Sequence, residues 1–435
     1  MIRKICILLL GVVLVACHED NEPSDTSGEW AVNFSTEMST RALTLINTTE
    51  ELKALPDGVG VFAYMTDGTP WATAISGKTA STYPAPDFMN NQKVYWGVTN
   101  VDNSTIPATS YYDWTYFPLK YWPNSSNNAT PRRISFFAYA PFQATTGSEG
   151  ITELPNASDK RPHLVYCMPA ASNMVDLLWA TPAVDATRNG EGLITVSSST
   201  NIYQKVPLEF HHALASIDVY VQRIYDEPAY SGKHPASETH TKLFISQLSF
   251  ATTPNVFETG RLDLADGTWS DTSGSSPTLA YTETQFSDTI SGTTSVSPAV
   301  IADRELDKWG EDLYGVTDVE RQLFAHGTSV LFFPQDNLVL TPTLTYSMIT
   351  RDNELLLSSL TDMSGNKYAR VVNVVTGNSL RLDLKAGKRY KLVIHVGVEH
   401  VEFELASVED WDFPMRFNPG VDTFTDETVN HTVNE

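Results

Sequence analysis

Histidine, cysteine and carboxylate side chains are where chemistry would start in this 435-residue chain, and their spacing limits what they can do. His211 and His212 are adjacent. Neighbouring side chains of a strand point to opposite faces, so the two cannot hold one metal ion without a bulge. One is expected to be buried and hydrogen-bonded, the other exposed. His395 and His400 flank an expected turn at Gly397, with no third ligand in view. Cys167 follows Tyr166 and precedes Met168-Pro169, with no base beside it, and reads as an inert, buried thiol. Carboxylates abound, but sequence cannot set a glycosidase pair at its working separation. These patterns predict no catalytic residue, no metal site and no cofactor.

Two further residues take their meaning from what precedes them. Met1-Ile2-Arg3-Lys4 leads into an apolar run from Ile5 to Ala16, which is too short to span a bilayer as a stable helix and reads as a signal peptide over residues 1–16. Leu14-Val15-Ala16-Cys17 resembles the bacterial lipobox, whose cysteine becomes the new N-terminus, carries diacylglycerol on sulfur and is usually acylated on its amine. Several acyl chains bury enough CH₂ groups, at roughly 0.8 kcal/mol each, for lasting anchorage. An ordinary secretory leader with a chance cysteine is the other reading. Residues 17–28 form an acidic tether, and its His18-Glu19-Asp20-Asn21-Glu22 is similar to the surface-export signal of lipoproteins in Bacteroidetes bacteria. A plain solvated spacer would look the same. After the tether, Trp30, Val32, Phe34, Thr36 and Met38 alternate with Ala31, Asn33, Ser35 and Glu37, so residues 29–41 predict a strand with one apolar face, ending just before Arg41.

Composition narrows the partners. The formal charge is −23, and loss of Arg3 and Lys4 with the leader takes it to −25, so phosphate-rich ligands are repelled and nucleic acid is not an expected partner. Cys6 leaves with the leader and Cys17 is spent on lipid, which leaves Cys167 without a disulfide partner. The fold must rest on apolar cores, and a mature chain of about 419 residues is long enough for two or more domains.

The local pattern is overwhelmingly β, with short Val/Ile/Tyr/Phe/Thr runs between Gly, Pro, Asn, Asp and Ser clusters. Strands are expected at Val59–Met65, Arg133–Tyr139, Lys205–Phe210, Ala215–Val221, Leu243–Phe250, Ser329–Phe333, Leu340–Met348, Ser379–Leu384, Tyr390–Val398 and Val401–Ala406. Two short helices are expected, at Thr48–Leu55 with Leu52 and Leu55 inward, and at Asp318–Phe324. The small, polar stretch from Gly190 to Gln204 suggests a domain boundary near residue 200. Asp266 to Ser297 reads as a long surface loop with one strand around Leu279 to Thr282. Near the C-terminus Trp411, Phe413, Met415 and Phe417 alternate with Asp412, Pro414 and Arg416, either as a last strand or as an exchangeable one. Pro414 lacks an N–H and favours an edge. Pro419-Gly420 then opens a polar tail, 419–435, that keeps no single period-2 register.

Taken in order, the lipoprotein start, Thr40-Arg41-Ala42, Val59-Gly60-Val61-Phe62-Ala63-Tyr64, Tyr121-Trp122-Pro123 followed by Ile134-Ser135-Phe136-Phe137-Ala138-Tyr139-Ala140-Pro141, Asp176-Leu177-Leu178, Val206-Pro207-Leu208-Glu209-Phe210-His211-His212-Ala213-Leu214, and Ala386-Gly387-Lys388-Arg389-Tyr390 ahead of Val408-Glu409-Asp410-Trp411 resemble the fimbrillin family of type V pilus subunits and related surface lipoproteins of Bacteroidales. The resemblance implies an all-β chain with two tandem transthyretin-like β-sandwich domains, 29–200 and 201–418. It implies that a protease cuts between Arg41 and Ala42, that the strand bearing Trp30, Val32, Phe34 and Met38 leaves, and that a strand of another pilus subunit refills the groove. Each large apolar site so uncovered is worth about 1.5–3 kcal/mol when filled, which is the drive that strand addition needs. A permanent first strand is the competing reading, because a cut at Arg41 severs the chain from its own lipid. The expected location is the outer membrane surface, through the lipid on Cys17, and the pilus after processing. The expected partners are other pilus subunits and a host or bacterial surface ligand. The alternative is a non-polymerising, glycan-binding surface lipoprotein whose sugar platform is the aromatic run Tyr111, Tyr112, Trp114, Tyr116, Phe117, Tyr121 and Trp122, although core packing would explain that run as well.

Overall fold

The computed structural model describes residues 31–38, 46, 48–98, 112–123, 131–170, 174–197, 202–223, 241–276, 278–282, 320–324, 330–351, 360–361, 367–397 and 401–411. With strands numbered in chain order, the first sheet runs β1 (Phe34–Met38), β11 (Ile202–His212), β8 (Leu178–Thr181), β5 (Arg133–Ala140), β2 (Val59–Thr66), β3 (Met89–Val98), β4 (Tyr112–Thr115). A strand β10 (Ile194–Ser197) pairs with β11, and β9 (Ala183–Ala186) with β5. Its central strands are buried on both faces, which is why they read as continuous apolar runs rather than alternating ones. Val61, Ala63, Phe136 and Ala138 enter the first core. Phe62, Tyr64, Phe137 and Tyr139 point the other way, into a middle core.

That middle core lies against a four-stranded sheet, β15 (Trp269–Ser273), β14 (Thr259–Asp263), β7 (His163–Cys167), β6 (Gly150–Glu153), which takes two strands from each half of the chain. The second half is a sandwich. One sheet is β17 (Glu320–Gln322), β12 (Ala215–Arg223), β23 (Lys388–Val396), β24 (Val401–Asp410), with β18 (Val330–Phe332) on β12. The other is β16 (Thr278–Thr282), β13 (Thr241–Thr253), β19 (Gln335–Arg351), β21 (Lys367–Thr376), β20 (Leu360–Thr361), with β22 (Leu380–Leu384) on β19. Ile217, Val219 and Val221 of the first sheet meet Leu248, Leu344 and Tyr346 of the second in one core, the alternation expected of facing sheets. The all-β expectation therefore holds.

Three local expectations need correction or shift. Glu320–Gln322, expected within a helix, is strand β17 and pairs antiparallel with Tyr220–Gln222 of β12. Pairing with an open edge outweighs a weak helical period, and Leu323 and Phe324 fill the second core instead of a helix face. Within the expected loop from Asp266, Trp269–Ser273 is a second strand, β15, paired with β14. The chain does not change sheets at residue 200 but within the stretch after His212: β10 and β11 form an antiparallel hairpin there, and β11 is the strand that joins β1 to β8. The first helix falls where expected, as α1 (Thr49–Lys53), with the Thr48 hydroxyl accepting from the Glu51 N–H at 3.1 Å and Leu52 buried.

At the border of the middle sheet Asp159 accepts two hydrogen bonds from the Arg161 side chain, at 2.9 and 2.6 Å, and one from Arg261 of β14 at 2.8 Å. The Arg161 hydrogen bonds hold the Asp159 carboxyl down at about 2. A folded pKa below the unfolded one contributes stability that is complete above the ordinary carboxylate range and is lost as pH falls toward 2. Asp159→Asn is therefore expected to flatten the acid limb of the stability curve between about pH 4 and pH 2. Urea titrations at stepped pH check it, and an unaltered acid limb would refute it.

Candidate assembly groove

Strand β1 lies at one edge of the first sheet and pairs parallel with β11, Phe34 opposite Val206 through Met38 opposite Phe210. Residues just before it are held by the other end of the same sheet. The Val32 N–H donates to the Lys120 carbonyl at 2.9 Å, the Tyr116 hydroxyl donates to the Val32 carbonyl at 2.9 Å, and Ala31 bridges Tyr121. The Val206 N–H donates to the Asn33 carbonyl at 2.8 Å. The strand thus lies in a slot, with β11 as one wall and the segment after β4 as the other. Lys205 of β11 spans the same slot to both carboxylate oxygens of Asp113 on β4, at 2.7 and 2.6 Å.

Val32 and Phe34 are fully buried. The Phe34 ring packs edge-on against Tyr116 and Phe136, with centroids 5.6 and 5.7 Å away, a geometry that adds to the area term. Asn33 and Ser35, between and after them, are only half-buried. Of the apolar face expected from alternation, Val32 and Phe34 enter the core. Among the other residues of that prediction, Cys17, Trp30, Arg41 and Ala42 lie outside the described residues, as do the side chains of Thr36 and Met38.

Downstream of Arg41 the chain is tied to the centre of the molecule. The Ile46 N–H donates to Asp176 Oδ2 at 3.1 Å, and Asp176 Oδ1 pairs with His212 Nδ1 at 3.0 Å. A carboxylate oxygen accepts, so Nδ1 is the donor in this contact. The His212 ring stacks on Trp411 at 3.7 Å and 13°, and Arg389 lies over the same indole at 5.7 Å. The Trp411 N–H donates to the Gly387 carbonyl at 2.7 Å. Asp176, His212 and Trp411 are all buried. Trp411, expected to open either a last strand or an exchangeable one, is seated in the middle core; Phe413, Met415 and Phe417 lie outside the described residues. Asp176 was not singled out from sequence as a hub. Its signal is an acidic residue inside the apolar run Met174-Val175-Asp176-Leu177-Leu178, the context in which a carboxylate needs partners.

The other reactive residues are held in ordinary ways. His211 points away from His212, toward Thr181 Oγ1 at 2.9 Å and the Trp179 ring at 5.3 Å. His395 meets Glu404 across β23 and β24 at 3.0 Å, while His400 lies outside the described residues. Burial pushes the half-buried Cys167 thiol up, away from the reactive thiolate. In the aromatic run, Trp114, Tyr116 and Trp122 are core side chains, and Phe117 and Tyr121 are exposed. Tyr111 and the side chain of Tyr112 lie outside the described residues.

The chain matches a family model described as fimbrillin-like over residues 40–411. No curated protein matches it significantly. Its fold is similar to that of a fimbrial protein from Bacteroides vulgatus ATCC 8482, with a TM-score of 0.55 at 18% identity, covering 88% of this chain and 99% of that one. It also aligns, at a TM-score of 0.35 and 14% identity over 89% and 99% of the two chains, with a candidate cell adhesion protein from Bacteroides uniformis ATCC 8492. Because the family match spans most of its length, with the all-β, multi-sheet architecture described above, this chain belongs to the fimbrillin-like family.

Proposed function

We propose that this protein is a lipid-anchored cell-surface fimbrial subunit or anchor that supports adhesion, and that it assembles when a cut after Arg41 releases β1 and a strand of another subunit takes the seat. The observation that carries this reading is the placement of β1: an edge strand, parallel to β11, which brings the fully buried Phe34, with Val32 just ahead of the strand also fully buried, in a segment that shortly precedes an arginine. β1 itself pairs with β11 alone, so its departure breaks one ladder and the few bonds that Ala31 and Val32 make to the 116–121 segment, and it leaves an unpaired β11 edge beside an empty apolar slot. The family match begins at residue 40, beside the proposed cut, and the Ile46–Asp176 bond supports retention of the chain beyond it. The glycan-platform alternative is weakened by the burial of Trp114, Tyr116 and Trp122.

N-terminal sequencing of protein purified from the cell surface tests the reading. Ala42 as the first residue is expected of assembled subunits, and a blocked, lipid-bearing Cys17 of anchors. Arg41→Ala is expected to remove the Ala42 species and reduce high-molecular-weight assemblies at least tenfold. A surface protein that begins at neither residue, or assemblies unaltered by Arg41→Ala, would refute it.

A further inference from the structure

Three outward residues meet at one level of the β1 slot. Val206 on β11, Trp114 on β4, and Val32 and Phe34 of the first strand's run all enter the first core. Side chains alternate along extended chain, so the neighbours Lys205, Asp113 and Asn33 turn to the opposite, outer face. All three are half-buried. On that face the Lys205 ammonium reaches both oxygens of Asp113, one residue away from the point where the Val206 N–H holds the Asn33 carbonyl.

This ion pair differs from the others that lysine makes among the described residues. Its side chains are 14% and 17% exposed, whereas the carboxylate partners of Lys53, Lys93, Lys385 and Lys388 are all more than half exposed. Both ends are also fixed. The Trp114 N–H donates to Asp113 Oδ1 at 2.8 Å, the Trp114 ring packs edge-on against Trp96 at 5.8 Å, and Lys205 stands opposite Ile194 in the β10–β11 hairpin. A shielded pair between two held groups loses little entropy on closing and is weakly screened.

Its position says what it does. Inward of the first strand lies the core, and on either side β11 and the 116–121 segment bond to the backbone of residues 31–33. Sliding lengthwise would drag Phe34 past the Tyr116 and Phe136 rings. The way out is outward, and the bridge crosses it at the level of Asn33. The geometry points to Lys205 and Asp113 as a latch, an ion pair that closes the outer mouth of the slot over the first strand and sets how readily that strand opens. Its use in assembly rests on the strand-release reading above, whereas the closure itself needs no cut.

Hydrogen exchange in the uncut protein tests the latch, by comparing amides of residues 32–38 with those of β2. In wild type, raising NaCl from about 0.05 to about 0.5 M is expected to speed exchange of 32–38 about threefold. Asp113→Asn and Lys205→Gln should each speed it about fivefold at the lower salt, remove the salt effect and leave β2 within about twofold of wild type. The charge exchange Asp113→Lys/Lys205→Asp should bring back slow, salt-sensitive exchange. Unaltered exchange at 32–38 in both single variants overturns the inference. So does equal acceleration in β2, which would make the pair a brace of the whole first sheet, and so does failure of the charge exchange to restore protection. All of these readings precede any cut, so assemblies unaltered by Arg41→Ala would remove strand release and leave the latch standing.

Discussion

Phe34→Ala is expected to lower the stability of the uncut protein by about 4 kcal/mol and to leave the stability of the protein freed of its first strand unchanged. The first figure follows from removing a fully buried phenyl ring, where the transfer loss and the residual cavity together cost about 3–5 kcal/mol. The upper part of that range is favoured because Tyr116 and Phe136 pack on the ring from two directions and are themselves held: Tyr116 by its hydrogen bond to Val32, Phe136 within β5. Neither can swing in to fill the gap. The second figure follows because a residue that has left the fold cannot affect it. Urea unfolding of both variants before and after cutting and strand removal gives all four values. An equal loss in cut and uncut protein would mean that the first strand stays in place, and a loss under 1 kcal/mol in uncut protein would mean that Phe34 is not seated as described.

Asp176→Ala is expected to cost about 3 kcal/mol, because it strips partners from the Ile46 N–H and the His212 ring at once, and hydrogen bonds to a buried charged group are worth roughly 1.5–3 kcal/mol each with incomplete additivity. Asp176→Asn keeps one carbonyl acceptor in the same place and should retain about half of that stability. Hydrogen exchange adds a local readout: amides of residues 46–55 should exchange faster in the alanine variant than the global loss accounts for, since Ile46 loses its tie while α1 follows it in sequence. Stability within about 0.5 kcal/mol of wild type would show that the carboxylate does not hold the network.

Much of the fold was legible because its strands are long and strongly patterned. Val59–Thr66 and Arg133–Ala140 lie within a residue of their expected ends, since β-branched and aromatic runs bounded by Gly and Pro leave little else to form. Pairing over long sequence distances was not legible. Nothing local tells Phe34 to lie beside Val206, and nothing local assigns β11 to the first half. Strand β15 was missed although its turn is signalled: Asp266-Gly267 supplies the left-handed residue, with Gly267 at φ +73° where an added Cβ would strike the Trp179 ring. The surrounding Ser, Thr and Gly masked that cue. The groove was half legible. Alternation gave the inward face of the first strand, but the opposite wall comes from an aromatic run that reads equally well as a sugar platform until burial separates Trp114, Tyr116 and Trp122 from Phe117 and Tyr121.

The middle sheet bears on the order in which the molecule can form. β7 finds its partner β14 nearly a hundred residues later, Val165 opposite Arg261, and the core beneath both also takes in Leu331, Phe333 and Trp411 from still later in the chain. Until those segments arrive, the first half keeps an open strand edge and an uncovered face that includes Phe62, Tyr64, Phe137 and Tyr139, the kind of surface on which incomplete chains stick to one another. Contacts of such sequence separation also form slowly. Neither half can therefore complete the middle core by itself, since that core draws on residues from Phe62 to Trp411.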